Sequence, residues 1–176
     1  EIQILTNLTP SMLDGAIDKM VKSIRNSQII MLPGGFSGGD EPDGSAKFIT
    51  AVFRNPAVRE AVTDLLENRD GLMLGICNGF QALIKLGLVP YGKIVDMGED
   101  SPTLTYNSIG RHASCLVNTR IASVNSPWMA GVELGDIHVI PISHGEGRFI
   151  ASAALIAELE KNGQIATQYV NFEGEP

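Results

Sequence analysis

Apolar residues near the start of this chain recur at intervals of three and four, the spacing of one helical face. Met12, Ala16, Met20 and Ile24 belong to this stripe. It follows Thr9-Pro10, which resembles a helix N-cap with proline at the first helical position. The pattern predicts an amphipathic helix, preceded by a short strand over residues 2–5.

Two short apolar runs, residues 27–32 and 71–76, predict buried strands. Apolar runs of this length without polar alternation are typical of parallel strands that are covered on both faces. Residues 33–44 are rich in glycine and proline and predict a loop. Helices are predicted at 45–55, 56–69 and 78–86, with Gly87 as the stop of the third.

The second half of the chain has a different pattern. Residues 103–107, 113–121 and 136–142 are β-rich or alternate, with no strong helix between them, which predicts strands near the edge of a sheet. A helix at 151–161 and a last strand at 165–170 follow. The expected fold is α/β: a mostly parallel central sheet with helices on both faces and an antiparallel edge portion, in a single domain over residues 1–176.

Composition narrows the classes of function. The chain has 176 residues, a net charge of −7 and 13 scattered basic residues, which argues against nucleic acid as a partner. No apolar run approaches the ~20 residues that cross a bilayer, and the N-terminus lacks the order of a signal peptide, so a cytoplasmic protein without a membrane partner is expected. Three histidines at no zinc-like spacing predict no metal site.

The strongest chemical motif is Gly75-Ile76-Cys77-Asn78-Gly79, placed where an apolar strand meets a helix. This is the pattern of a nucleophile elbow, in which flanking glycines leave room for a tight turn. The following helix points its N-terminus at the sulfur, which favours thiolate and offers N–H groups to an oxyanion. Cys115 lies in a strand-like run without an elbow, and a packed core thiol is expected there.

The loop Gly34-Gly35-Phe36 follows the first buried strand, so it is expected at the carboxyl edge of the sheet, where open α/β sheets bind ligands. A phosphate-binding P-loop is rejected because no Gly-Lys-Ser/Thr follows. A surface loop is the remaining alternative.

A second polar segment, His144-Gly145-Glu146, follows the strand that ends near residue 142. His144 and Glu146 could be a base and its orienting carboxylate, which would complete a Cys-His-Glu set. Glycines on both sides suit a ligand-lining turn equally well. The residues alone leave both interpretations open.

Three segments taken together, 32–37, 75–81 and 143–149, closely resemble the class I glutamine amidotransferase domain of phosphoribosylformylglycinamidine synthase. The resemblance runs through most of the chain and implies a flavodoxin-like α/β sandwich. It implies that the cysteine attacks the side-chain amide of glutamine, forms a γ-glutamyl thioester and releases ammonia. A synthetase domain or subunit then uses the ammonia, with ATP and Mg²⁺, to convert formylglycinamide ribonucleotide to the amidine. No cofactor is expected in this domain.

Carried onto this chain, the resemblance makes Cys77 the nucleophile. It makes the N–H groups of Gly35 and Asn78 candidate oxyanion donors, in a pocket that Gly34 and Phe36 help to form. It also implies a contact with bound glutamine for Gln81, and it places His144, Gly145 and Glu146 in a segment that lines the pocket or faces the synthetase part.

The chain departs from the family at both ends. The family's catalytic His-x-Glu segment lies beyond the last strand identified here, and its opening strand and helix precede residue 2. A truncated domain that hydrolyses glutamine poorly by itself is therefore expected, because proton transfer is worth roughly 10²–10⁴-fold in rate. A ThiJ-like elbow-cysteine hydrolase and a non-catalytic docking module of a synthetase are the alternative functions.

Overall fold

The structure is a computed structural model that describes residues 9–35 and 46–176. The strand predicted at 2–5 and most of the glycine loop lie outside the described residues. The chain divides into two compact units, Glu1–Gly98 and Glu99–Pro176.

The described part of the first unit alternates helices and strands. In chain order its elements are α1 (Pro10–Arg25), β1 (Ile29–Leu32), α2 (Lys47–Phe53), α3 (Pro56–Glu67), β2 (Leu72–Gly75), α4 (Asn78–Leu86) and the short helical segment α5 (Leu88–Tyr91).

Local capping fixes where the two long helices begin. The Thr9 hydroxyl accepts a hydrogen bond of 3.3 Å from the Met12 N–H, with proline at the first position of α1. Asn55 does the same for α3, accepting from the Ala57 N–H at 3.0 Å. A capping side chain satisfies an N–H that has no partner within the helix. Both starts lie where the sequence predicts them.

β1 and β2 pair in parallel, with Ile29 opposite Leu72 and Leu32 opposite Gly75. β1 is less buried than its apolar run predicts, because Ile29 and Met31 are 52% and 57% exposed. The core of this unit therefore lies against one side of β1. The following buried residues form it: Ile17, Ile24, Leu32, Ala46, Phe53, Val58, Ala61, Val62, Ala82, Leu83, Leu86, Leu88 and Ile94.

Arg69 ties the C-terminal end of α1 to the end of α3. Its guanidinium donates to the carbonyl oxygens of Arg25 and Ser27, each at 2.9 Å, and of Ile24 at 3.0 Å. It also donates to the Asp64 carboxylate at 2.9 Å. These carbonyls lie at the end of α1, where helical C=O groups lack partners within the helix. The Arg69 side chain thus donates hydrogen bonds to the backbone carbonyls where α1 ends and the chain leads into β1.

The second unit is mainly antiparallel. Its elements are β3 (Thr103–Thr105), β4 (Ala113–Ile121), a 3₁₀ turn (Pro127–Met129), β5 (Ile137–His144), β6 (Arg148–Ile150), α6 (Ala153–Lys161) and β7 (Thr167–Val170). β5, β4 and β7 form one sheet in that order, and β3 pairs with β6.

The fold is α/β with a parallel part and an antiparallel part, as the sequence predicts. Among the described residues the parallel part is the single pair β1–β2, so the antiparallel portion is larger than expected. The expectation for Cys115 is wrong, because this thiol is exposed on β4. In the part of the chain that the structure describes, no helix is long and apolar enough to span a bilayer.

Candidate functional site

Cys77 occupies a sharp bend between strand and helix. β2 ends at Gly75 and α4 begins at Asn78, so Cys77 is the N-cap residue of α4. Its backbone has φ 54° and ψ −110°, a conformation that residues with a Cβ rarely adopt. The side chain is exposed. The predicted elbow geometry is confirmed, with the sulfur accessible from outside the unit.

The glycines on either side of Cys77 are required by packing. A Cβ on Gly75 would lie 2.6 Å from the Gly79 carbonyl oxygen and 2.7 Å from a Leu83 methyl carbon. A Cβ on Gly79 would overlap the backbone carbonyl of Leu32. Strand β1, strand β2 and helix α4 therefore approach so closely that neither position accepts a side chain. The sequence pattern predicted the two glycines for the same reason, the lack of room for a Cβ atom.

The N-terminus of α4 faces the position of the thiol. The first helical hydrogen bond of this turn runs from the Gln81 N–H to the Cys77 carbonyl at 3.0 Å. The partial positive charge of a helix N-terminus stabilises negative charge nearby. Asn78 and Gln81 are buried, with 5% and 9% of their surface exposed. The helix thus offers an electropositive end to an anion that forms at Cys77.

Gly34 brings the glycine loop against the elbow. A Cβ built on Gly34 would lie 3.0 Å from the Cys77 Cβ and 3.7 Å from its Sγ. The next residue, Gly35, has φ 139°, in the region that favours glycine. Both turns leave the same edge of the β1–β2 pair, where the Ile76 N–H donates to the Leu32 carbonyl at 3.0 Å. Phe36, the third loop residue named by the sequence, lies outside the described residues.

His144, Gly145 and Glu146 belong to the second unit. His144 ends β5, and the turn through Gly145 and Gly147 leads into β6. His144 and Glu146 are partly buried. The His144 ring lies beside Asn107, with 2.9 Å between Nδ1 and the Asn107 Oδ1.

Asn107 makes several hydrogen bonds around this turn, although no sequence motif pointed to it. Its amide nitrogen donates to the carbonyls of His144 at 2.8 Å and Arg111 at 3.0 Å. Its Oδ1 accepts from the Gly147 N–H at 3.2 Å, and its own N–H donates to the Gly145 carbonyl at 2.8 Å. Sequence reasoning missed this residue, because one asparagine after a short strand is a common loop feature.

The candidate residues thus fall into two groups. Gly34, Gly35, Cys77, Asn78 and Gln81 lie in the first unit, where Gly34 passes so close to the elbow that an added Cβ would lie 3.0 Å from the Cys77 Cβ. The group around His144 is held by Asn107 in the second unit. Within residues 9–35 and 46–176, no cluster of three histidine, cysteine or carboxylate side chains is placed to hold a metal ion.

Comparison with known proteins identifies the family. Residues 6–176 match the model of the CobB/CobQ-like glutamine amidotransferase domain. The chain is 36% identical over 157 residues to the phosphoribosylformylglycinamidine synthase subunit PurQ of Methanococcus maripaludis strain C7, covering 88% of this chain and 54% of the relative. It is 35% identical over 153 residues to the PurQ subunit of Synechococcus elongatus, covering 85% of this chain and 60% of the relative.

A solved structure is also similar to this chain. The chain matches the structure of PurLQS from Thermotoga maritima with a TM-score of 0.60 and 27% identity, over 82% of this chain and 56% of that one. The chain thus spans little more than half the length of the relatives that it matches. These similarities support the predicted fold and favour neither a ThiJ-like hydrolase nor a docking module. The chain belongs to the family of CobB/CobQ-like glutamine amidotransferase domains.

Proposed function

We propose that this chain is the glutamine-hydrolysing part of a phosphoribosylformylglycinamidine synthase, with Cys77 as its nucleophile. One observation carries the proposal: an exposed thiol stands on a strained elbow at the N-terminus of α4, with Gly34 against it. Backbone strain at an accessible nucleophile is a common feature of active sites. The similarity to PurQ subunits supports the same assignment.

The reaction begins with attack of the Cys77 Sγ on the side-chain amide carbon of glutamine. The C=O π-bond opens, and negative charge collects on the former carbonyl oxygen. The N–H groups of Gly35 and Asn78 are the candidate donors to this oxygen, because Gly35 follows the residue that contacts Cys77 and Asn78 opens α4. Preorganised N–H donors of this kind are worth roughly 10²–10³-fold in rate.

Collapse of the tetrahedral intermediate breaks the C–N bond. The nitrogen takes up the proton that the Cys77 thiol gave up and leaves as ammonia, and a γ-glutamyl thioester remains on Cys77. Water then attacks the thioester, releasing glutamate and restoring the thiol, so that glutamine and water become glutamate and ammonia. Residues 1–98 contain no histidine, so no imidazole of the first unit serves as the base for this chemistry.

The ammonia serves a synthetase domain or subunit, where ATP and Mg²⁺ act. The relatives named above are subunits of phosphoribosylformylglycinamidine synthase, which supports a synthetase as the partner and the formylglycinamide ribonucleotide as the acceptor of nitrogen. Gln81 and the His144-Gly145-Glu146 turn are proposed to contact glutamine or line its pocket. The cytoplasm, where purine nucleotides are made, is the proposed location.

Selective labelling tests the nucleophile. An electrophilic glutamine analogue should modify Cys77, and excess glutamine should prevent the modification. Cys115 is the internal control, because it is also an exposed thiol but lies on a strand without an elbow. A general alkylating reagent should modify both cysteines. Equal labelling of both by the glutamine analogue, or labelling of Cys77 that glutamine does not slow, would contradict the proposal.

Replacement of Cys77 by alanine in the complete protein, assembled with its synthetase part, tests whether the role of this chain is to supply ammonia. Glutamine-dependent synthesis should stop, whereas synthesis from added ammonium salt should continue, because ammonia bypasses the thioester. Retained glutamine-dependent synthesis would show that Cys77 is not the nucleophile. Loss of both activities would contradict a role restricted to ammonia supply.

A further inference from the structure

We propose that Asn107 is a positioning residue that holds His144 in the Nδ1–H tautomer, so that Nε2 presents a lone pair to a hydrogen-bond donor outside the described residues. Asn107 is not part of any motif that the sequence or the family resemblance singled out. It lies two residues after β3 and reaches the turn between β5 and β6. The inference depends on the hydrogen bonds that surround its side chain.

Backbone partners fix the orientation of the Asn107 amide. One end of the amide faces the carbonyl oxygens of His144 and Arg111, which can only accept hydrogen bonds. The other end faces the Gly147 N–H, which can only donate. The amide nitrogen must therefore lie towards the carbonyls and Oδ1 towards Gly147, because an amide oxygen cannot donate.

This orientation determines the tautomer of His144. Asn107 Oδ1 is an acceptor, and it lies 2.9 Å from the His144 Nδ1. Nδ1 must then carry a proton to form a hydrogen bond. In the neutral imidazole, protonation of one ring nitrogen leaves the other with a lone pair. Nε2 is therefore an acceptor.

Nε2 is also the ring atom that lacks a partner. It is excluded from solvent, and no residue within 9–35 and 46–176 donates to it. Buried acceptors in folded proteins are nearly always hydrogen-bonded, so this lone pair is matched to a donor that the described residues do not supply. Any N–H or O–H group has the required chemistry.

Gly147 holds the ring from the opposite side of the turn. A Cβ on Gly147 would overlap the imidazole, lying 2.6 Å from Nε2 and closer still to Cε1. A Cβ on Gly145 would have only the His112 Nδ1 nearby, at 3.9 Å. Neither glycine has a positive φ, so alanine is compatible with both backbones. The two glycines of one turn therefore give a matched test pair.

Nitrogen-15 NMR of labelled histidine in the complete protein reports the tautomer directly. The His144 resonances should show a protonated Nδ1 and a bare Nε2. Asn107→Ala should shift the population towards the Nε2–H form that free histidine favours. An Nε2–H signature in the unmodified protein, or no change in Asn107→Ala, would overturn the inference.

The two glycine variants distinguish displacement of the His144 ring from a general disturbance of the turn. Gly147→Ala should displace the ring and change the His144 resonances, whereas Gly145→Ala should leave them as in the unmodified protein. The reverse result would overturn the inference. None of these measurements needs turnover, so they stand whether or not Cys77 hydrolyses glutamine.

Discussion

Gly34 lies so close to Cys77 that a Cβ built on it would be 3.0 Å from the Cys77 Cβ. Few side chains in proteins approach one another so tightly, so a side chain at this position would force the loop or the elbow to move by a few tenths of an ångström. This close approach brings together the glycine loop and the elbow, two motifs that are separated by more than forty residues in sequence. It makes the space beside the sulfur sensitive to a single methyl group.

We expect Gly34→Ala to lower kcat/KM for glutamine by roughly tenfold, less than the roughly hundredfold effect of a 1 Å misplacement of reacting groups, because the predicted shift is a few tenths of an ångström. Steady-state release of glutamate measures it. Gly98→Ala is the control, since nothing lies within 4 Å of its Cβ and its φ is not positive. Equal activities of the two variants would show that the loop does not shape the site.

Two helical glycines provide a stability test of the close approach between α4 and β1. Gly79→Ala should destabilise the protein by about 3 kcal/mol, because its Cβ overlaps the Leu32 carbonyl and tight cores accommodate extra groups poorly. Gly15→Ala in α1 should stabilise it by about 0.5–1 kcal/mol, since nothing lies within 4 Å and alanine has the higher helix propensity. Urea unfolding measures the free energy of unfolding of both variants. Changes of the same sign would contradict the close approach between α4 and β1.

Much of the first unit could be predicted because its signals are local. Thr9 and Asn55 cap their helices, and Gly87, with φ 81°, ends α4 where the sequence places the stop. The elbow is local too: a strand, five residues and a helix. Neighbouring residues therefore contain most of the information that positions Cys77.

The second unit depends on longer-range pairing. Asn107 reaches His144 only because β3 pairs with β6, with Thr103 opposite Ile150, and β6 is too short to leave a recognisable pattern. The error for Cys115 has a related cause: alternation shows which residues share a face of β4 but not whether that face is covered. Register and coverage are set by tertiary contacts.

Backbone strain at Cys77 should be measurable in the free energy of unfolding. Cys77→Gly should be more stable than Cys77→Ala by about 1 kcal/mol, because glycine tolerates φ 54° and ψ −110° whereas alanine retains the strain. Both variants lack the sulfur, and both should lose glutamine hydrolysis. Urea unfolding of the pair gives the difference. A more stable alanine variant would indicate that the elbow is not strained.

Arg69 should contribute more to stability than a typical surface arginine. Arg69→Ala should cost about 2 kcal/mol, since charged groups make strong hydrogen bonds and three carbonyls would lose the guanidinium as a donor. Arg25→Ala is the control: its ion pair with Glu60 is 3.5 Å long and exposed, so a change of about 0.5 kcal/mol or less is expected. Similar losses in the two variants would contradict the role of Arg69 at the end of α1.

The same cluster predicts an acid-sensitive contribution to stability. The Asn68 amide, which donates to Asp64 at 3.0 Å, lowers the pKa of this carboxyl below its ordinary value of 3.8, and the hydrogen bond and charge of Arg69 act in the same direction. A carboxyl whose pKa is lower in the folded state stabilises that state above its unfolded pKa, and the contribution is lost as pH falls through the folded one. Asp64→Asn should therefore lose less stability than the unmodified protein between about pH 5 and pH 2.

Urea unfolding at both ends of that range measures this difference, with Glu60→Gln as a control for the change in net charge. Glu60 lies in the exposed ion pair with Arg25, so its replacement alters the charge while the hydrogen bonds of Asn68 and Arg69 to Asp64 stay in place. The slope of unfolding free energy against pH should flatten more in Asp64→Asn than in Glu60→Gln. Removal of Arg69 should reduce the effect of Asp64→Asn, because part of the pKa shift of Asp64 comes from that guanidinium. Equal slopes in all three proteins would show that Asp64 does not couple folding to acid.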